Sequence, residues 1–204
     1  KDIADLARIA RLKLINSITG IKPANFIGTI GKDRTTNLAI FSSVVHLGSH
    51  PPLLGFIARP RTQEAGHTLK NIKANGAYTI NHILPEFTKQ AHYTSAKFDS
   101  TTSEFTRCGF TEEYNTDFEA PFVKESLVKI GMQFREAIPI PLNNTTLVIG
   151  EIVRLVVPDT IMESGDVDLE QLSGVGISGL NSYYSLQKIA QYPYVRVNEV
   201  PEFN

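Results

Sequence analysis

The sequence predicts a mostly β protein: an antiparallel barrel carrying a few peripheral helices. Three observations lead there. Short apolar runs broken by turn residues recur from Ile18 onward. Val128, Ile130, Met132 and Phe134 alternate with Lys129, Gly131, Gln133 and Arg135, the period of two that marks a half-buried strand. The connections between successive strands are mostly too short for the crossovers that parallel pairing requires.

The elements follow in order. Ile3, Leu6, Ala7, Ile9, Ala10 and Leu14 recur at helical spacing, so residues 1–20 form a helical lead-in and 21–204 a single domain. Phe26 to Ile30, Gly31-Lys32-Asp33 and Thr35 to Ile40 read as a hairpin. Pro51-Pro52 opens the strand Leu53 to Ala58, because proline cannot donate to a ladder and belongs at its beginning. Thr68 to Ala74 reads as a helix capped by Thr68 and stopped at Asn75-Gly76. Ala77 to Ile83 is a strand, Glu86 to Ala96 a helix, and the Ser-, Thr-, Glu- and Gly-rich stretch Phe98 to Val123 an excursion of surface loops. After the alternating strand, Asn143-Asn144 turns the chain into a long strand, Thr145 to Val157.

The chain has 204 residues, 42% of them hydrophobic and 20% charged, with a formal net charge of -1. A sizeable core can be buried, and gross disorder is excluded. The near-zero charge argues against nucleic acid or an anionic membrane as main partner. The single cysteine, Cys108, allows neither an internal disulfide nor a thiolate metal cluster. No run approaches the roughly 18 apolar residues of a membrane helix, and the amino terminus is too polar for a secretory signal. A cytoplasmic protein is expected; the chain opens on Lys1, so its native start is left open.

Several motifs carry little. Gly174-Val175-Gly176-Ile177-Ser178-Gly179 matches G-x-G-x-x-G, but an acidic loop precedes it and the chain ends soon after, so the βαβ context is missing. His46 and His50 flank Gly48 and precede Pro51-Pro52, which prevents a helix that would pair them on a metal. Cys108 reads as an inert thiol, and no G-x-S-x-G elbow occurs. More suggestive is the run of small and hydroxyl residues Thr35-Thr36-Asn37-Leu38-Ala39-Ile40-Phe41-Ser42-Ser43. Short side chains let a flat ring approach the backbone, and Asn and Ser satisfy its polar edge. Arg59, Arg61, Thr62, Thr68 and Lys97 could hold a phosphate; a solvated basic loop beside ordinary turns explains them equally well.

Taken together, Lys22-Pro23 before the first hairpin, Asn37 to Ser42, Pro51-Pro52-Leu53-Leu54-Gly55-Phe56, Thr68-Leu69-Lys70-Asn71-Ile72, Gly76 to Asn81, Thr94 to Phe98, Thr146 to Ile152 and Gly179 to Tyr184 resemble the flavin reductase-like family of flavoredoxin type. The resemblance spans roughly Ile21 to Tyr184. It implies an FMN-binding split barrel of Greek-key type, a homodimer with FMN near the subunit interface, and an oxidoreductase. Such an enzyme takes hydride or electrons, from NADH or NADPH, into bound FMN and passes them to a small-molecule or protein acceptor. The implied cofactor-binding residues are Thr36, Asn37, Leu38, Ala39, Phe41, Ser42, Ser43 and Ala58 around the isoalloxazine, Arg59, Arg61, Thr62, Thr68 and Lys97 at the phosphate, and Tyr183 and Tyr184 over the ring or donor pocket. No acid–base residue is required, since hydride transfer is the cofactor's own chemistry. Many members that use a nicotinamide donor carry histidine where this chain has Thr145, which favours an alternative, a non-catalytic FMN-binding electron carrier or sensor. A third reading is a metal-dependent hydrolase built on His46, His82 and His92.

Overall fold

A computed structural model describes residues 2–60 and 66–203. Helix α1, Arg8–Ser17, lies on the surface with none of its residues buried. It starts later than the apolar spacing predicts, and Ile9, Leu12, Leu14 and Ile15 are exposed. Strands β1 (Lys22–Pro23), β2 (Asn25–Ile30), β3 (Thr36–Phe41), β4 (Val45–Ser49) and β5 (Pro52–Ala58) follow, then helix α2 (His67–Asn75) and strand β6 (Ala77–His82). A 3-10 turn, Pro85–Phe87, precedes α3 (Thr88–Tyr93), and α4 (Glu104–Cys108) precedes the short strands β7 (Glu112–Glu113) and β8 (Phe122–Val123). The long hairpin of β9 (Lys129–Ile140) and β10 (Thr145–Val156) comes next, followed by β11 (Met162–Glu163), β12 (Asp166–Val167), β13 (Val175–Ser178) and β14 (Ser182–Ser185). No helix among the described residues is long and apolar enough to cross a membrane.

Seven strands form one antiparallel sheet in the order β3-β2-β6-β9-β10-β5-β4. Its two edges, β3 and β4, are joined by only three residues, Ser42 to Val44. Six flat inter-strand spacings would separate those edges by about 29 Å, whereas the link from Phe41 to Val45 reaches about 14 Å at most. The sheet must therefore curl until its edges meet, and it does: the Phe41 ring packs edge-on against Phe56 with centroids 5.0 Å apart. At this seam the Ser43 hydroxyl accepts a hydrogen bond from Ile57 N–H (3.1 Å) and donates to Ile57 C=O (3.4 Å). The outward N–H groups of edge strand β3 are also satisfied, Leu38 by the Glu104 carboxylate (3.0 Å) and Ile40 by the Thr94 hydroxyl (3.0 Å).

Ile27, Phe56, Tyr78, Ile80, Met132 and Val148 fill one core. Phe26, Leu38, Ile83, Phe105, Phe110 and Val123 fill a second. Strand β2 is buried along its whole length because successive residues, Phe26 and Ile27, serve different cores.

The structure corrects several expectations. The stretch Phe98 to Val123 is not a surface excursion: Phe105, Cys108, Phe110, Ala120 and Phe122 are buried. Helix α4 spans five residues, too short for its spacing to stand out against polar neighbours. Strand β4 lacks an apolar alternation, being largely exposed and irregular between His46 and Gly48. Helix α2 begins after Gly66, at φ 96°, and Thr68 does not cap it; the Thr68 hydroxyl accepts from the Asn37 amide instead (3.1 Å). Its stop at Gly76, φ 75°, is as predicted. The glycine-rich segment forms β13, held antiparallel between β1 and β14 with no helix after it.

In the first core the Tyr78 hydroxyl is buried without a hydrogen-bond partner and lies against Gly150, where a Cβ would collide with the phenol oxygen. An orphaned hydroxyl contributes nothing to offset its desolvation, so Tyr78→Phe should leave stability unchanged or raise it by about 1 kcal/mol. Gly150→Ala should lower it by about 2 kcal/mol or more through overpacking. Urea unfolding of both variants checks this, and a clear loss of stability in Tyr78→Phe would contradict the assignment.

Candidate functional site

The seam opens into a cleft of about 640 Å³, within the range of small-molecule sites. Its walls come from β3 and the Ser42–Val44 link, the end of β5, the start of α2, the segment after α3, and the β13–β14 turn. Barrel closure thus gathers segments that are far apart in the chain.

Of the residues predicted from sequence, Asn37, Ala39, Phe41, Ser42, Ser43, Ala58, Arg59, Thr68, Lys97 and Tyr183 line this cleft. Four of their polar side chains are already engaged: Asn37 with Thr68, Ser43 with Ile57, and Tyr183 with His92. Three residues lie elsewhere. Thr36 faces a neighbouring cavity of about 470 Å³, and its hydroxyl donates to Glu112 (2.6 Å) and pairs with Ser103 (2.6 Å). Leu38 points into the second core, as strand alternation requires once Asn37 and Ala39 face the cleft. Tyr184 is exposed beside Tyr183, its side chain on the opposite face of β14. Arg61 and Thr62 lie outside the described residues.

The cleft lining carries three cations: Arg59 and Lys97 are joined by Lys22, which in the sequence marks only the approach to the first hairpin. The Lys22 ammonium donates to the carbonyls of Asn16 (2.7 Å) and Gly179 (3.3 Å), neither of which neutralises it. Partial burial and then the nearby Arg59 guanidinium hold its pKa below the ordinary lysine value. The ion pairs among the described residues, Lys129–Glu113, Arg135–Glu151 and Lys188–Glu163, involve none of these three cations.

The cleft's carboxylate is Glu104, buried under β3, where desolvation raises its pKa against the opposing pull of the Leu38 N–H. Across the cleft, His92 Nδ1 and the Tyr183 hydroxyl lie 3.0 Å apart with their rings edge-on. In the sequence His92 stands out only as a candidate metal ligand, because its partner lies 91 residues away. Among the described residues no three His, Cys, Asp or Glu side chains are placed to share a metal ion. His46 sits on exposed β4. His82 ends β6, where burial pushes its imidazole down to about 4. Cys108 is buried, and burial raises its thiol pKa, as suits an inert group. Thr145 lies at the β9–β10 turn with its hydroxyl on Asn143 (2.7 Å), away from the cleft lining.

Residues 21–167 match the model of the flavin reductase like domain. A candidate flavin reductase with a split barrel domain from Shewanella frigidimarina is 46% identical, superposes with a TM-score of 0.90, and aligns over 95% of this chain and 96% of its own. Component B of nitrilotriacetate monooxygenase from Bacillus cereus shares the fold at 20% identity, with a TM-score of 0.85 over 94% and 97% of the two chains. Flavoredoxin of Desulfovibrio vulgaris shares it at 21% identity, with a TM-score of 0.73 over 86% and 92%.

The raised pKa of Glu104 has a measurable sign. A carboxyl that binds its proton more tightly when folded adds stability below the unfolded value of 4.5, and that contribution is lost as pH rises through the folded value. Glu104→Gln, which keeps an acceptor for Leu38 N–H, should therefore gain stability relative to wild type between pH 4.5 and pH 8. Urea unfolding of both proteins across that range gives the difference; a pH-independent difference would mean the carboxyl is not perturbed.

Proposed function

The chain belongs to the flavin reductase-like family, and on that premise we propose that it is an FMN-binding oxidoreductase whose cofactor occupies the cleft at the barrel seam. The observation that carries this reading is that one cleft is lined both by Lys22, Arg59 and Lys97 and by a run of small residues. A flat ring needs close approach to backbone, which Ala39, Ser42 and Ser43 permit; a phosphate needs cations not already paired with carboxylates. The residues present fit FMN. When bound, FMN supplies reversible hydride and electron acceptance, while the protein orients it and sets its surroundings.

In this reading Asn37, Ala39, Phe41, Ser42, Ser43 and Ala58 bound the ring, and Arg59, Lys97, Lys22 and Thr68 hold the ribityl phosphate, with Arg61 and Thr62 completing that end. NADH or NADPH is the donor, and the acceptor is a small molecule or a protein. A second copy of the chain completes the assembly as a homodimer. Exposed Val45 and Leu47 on β4, Val153 and Leu155 on β10, and Ile189, Tyr192, Tyr194 and Phe203 beyond β14 support it, since so much unpartnered apolar surface favours association. Thr145, where many members that use a nicotinamide donor carry histidine, favours the second reading, an FMN-binding electron carrier or sensor without nicotinamide chemistry.

Removing one charge from the phosphate end costs a charge-assisted hydrogen bond of about 1.5–3 kcal/mol. Arg59→Ala and Lys97→Ala should each weaken FMN binding by roughly 10- to 150-fold, measured by quenching of FMN fluorescence. Unchanged affinity in both would place the phosphate elsewhere, and a folded protein that binds no FMN would remove the reading altogether. Anaerobic titration of the FMN-loaded protein with NADH and then NADPH separates the two functions. Bleaching of the oxidised flavin band is expected of the reductase, a persistent yellow spectrum of the carrier.

A further inference from the structure

His92 and Tyr183 are both half-buried and both line the cleft, and although the Tyr183 ring packs against the second core, that packing does not account for the hydrogen bond between its hydroxyl and His92. The bond joins α3 to β14, segments 91 residues apart in sequence and in different sheets or layers. Of the two groups, one must donate. If His92 presents Nδ1–H to the phenol oxygen, the Tyr183 proton is left free to point into the cleft. Partial burial raises the Tyr183 pKa, so the phenol stays protonated through neutral pH. The lining of the same cleft includes the apolar residues Leu180, Phe98 and Ile40.

Resting on the flavin reading above, we propose that Tyr183 is the proton donor to a conjugated carbonyl acceptor, an enone or quinone, reduced in this cleft, and that His92 is the residue that positions and re-protonates it. The chemistry balances as follows for an enone. Hydride from the reduced flavin forms a C–H bond at the β carbon; the alkene pair shifts to the α carbon–carbonyl bond and the carbonyl π pair moves to oxygen. The Tyr183 O–H bond breaks as its proton passes to that oxygen, and the enol then tautomerises to the saturated ketone. The phenolate regains a proton from His92 Nδ1 as Nε2 takes one from water, so that the ring stays neutral, and exchange with solvent restores the Nδ1–H tautomer. One hydride and one proton are consumed per acceptor, and the flavin is returned to its oxidised form.

The test uses the FMN-loaded protein, photoreduced without oxygen and mixed with either cyclopent-2-enone or ferricyanide while flavin reoxidation is followed. Ferricyanide takes electrons without a proton, so the ratio of the two rates isolates proton donation. That ratio should fall roughly 100-fold or more in Tyr183→Phe, the contribution of a placed general acid. His92→Ala should lower it likewise, and His92→Asn, whose amide N–H can replace Nδ1–H, should restore most of it. An unchanged ratio in Tyr183→Phe, equal loss in His92→Asn and His92→Ala, or a wild type that reduces ferricyanide but not the enone would each overturn the proposal and leave FMN binding intact. A second readout needs no flavin. Nitrogen NMR of histidine-labelled protein should show His92 protonated at Nδ1, with that signal moving in Tyr183→Phe; a bare Nδ1 would overturn the assignment even in protein that fails to bind FMN.

Discussion

The short link between the two edges of the sheet constrains everything else. With three residues between β3 and β4, the seven strands cannot lie open, and closure alone decides which residues meet at the seam. The seam then has a problem that a continuous barrel lacks: β3 and the end of β5 present backbone groups with no neighbouring strand. Side chains solve it. Ser43 plugs both polar groups of Ile57, while Thr94 and Glu104 serve β3. Because these plugs are short or approach from outside, the seam remains open enough to form a cleft.

The electrostatics of that cleft follow from the same closure. Lys22 comes from the start of the barrel, Arg59 from the end of β5 and Lys97 from the segment after α3. Three cations from remote positions line one cleft, and among the described residues none of them is ion-paired, while the carboxylate in the lining, Glu104, is turned toward a backbone N–H. An overall charge of -1 conceals this local concentration. The Arg59 charge disfavours the Lys22 ammonium beside it, and an anion placed between them relieves that repulsion.

Much of this is legible in the sequence where a local rule has only one outcome. The alternation of Val128 to Arg135, the prolines before Leu53 and the glycine after Asn75 each fix an element, and the structure agrees. The small-residue run ahead of Ser43 also lies along the cleft, because a strand places Asn37, Ala39 and Phe41 on one face. That same alternation removes Leu38 and Thr36 from it, a distinction that a linear motif does not express. What sequence does not carry is partnership across the fold. Thr68 looks like a cap until Asn37 arrives from another strand, and His92 looks like a stray histidine until β14 delivers Tyr183. Strand β4 escapes notice for a different reason: an exposed edge has no buried face to impose a pattern.

The contact between Tyr78 and Gly150 bears on how this barrel drifts over time. The phenol oxygen occupies the space that a side chain at position 150 would need, and nothing in the core offers it a bond in return. The constraint runs one way: any side chain at 150 must wait for a smaller or displaced ring at 78, whereas loss of the hydroxyl can come first at little cost. The two positions, on β6 and β10 and separated in the sheet by β9, should therefore vary as a linked pair among descendants of this sequence, with phenylalanine at 78 as the permissive first step.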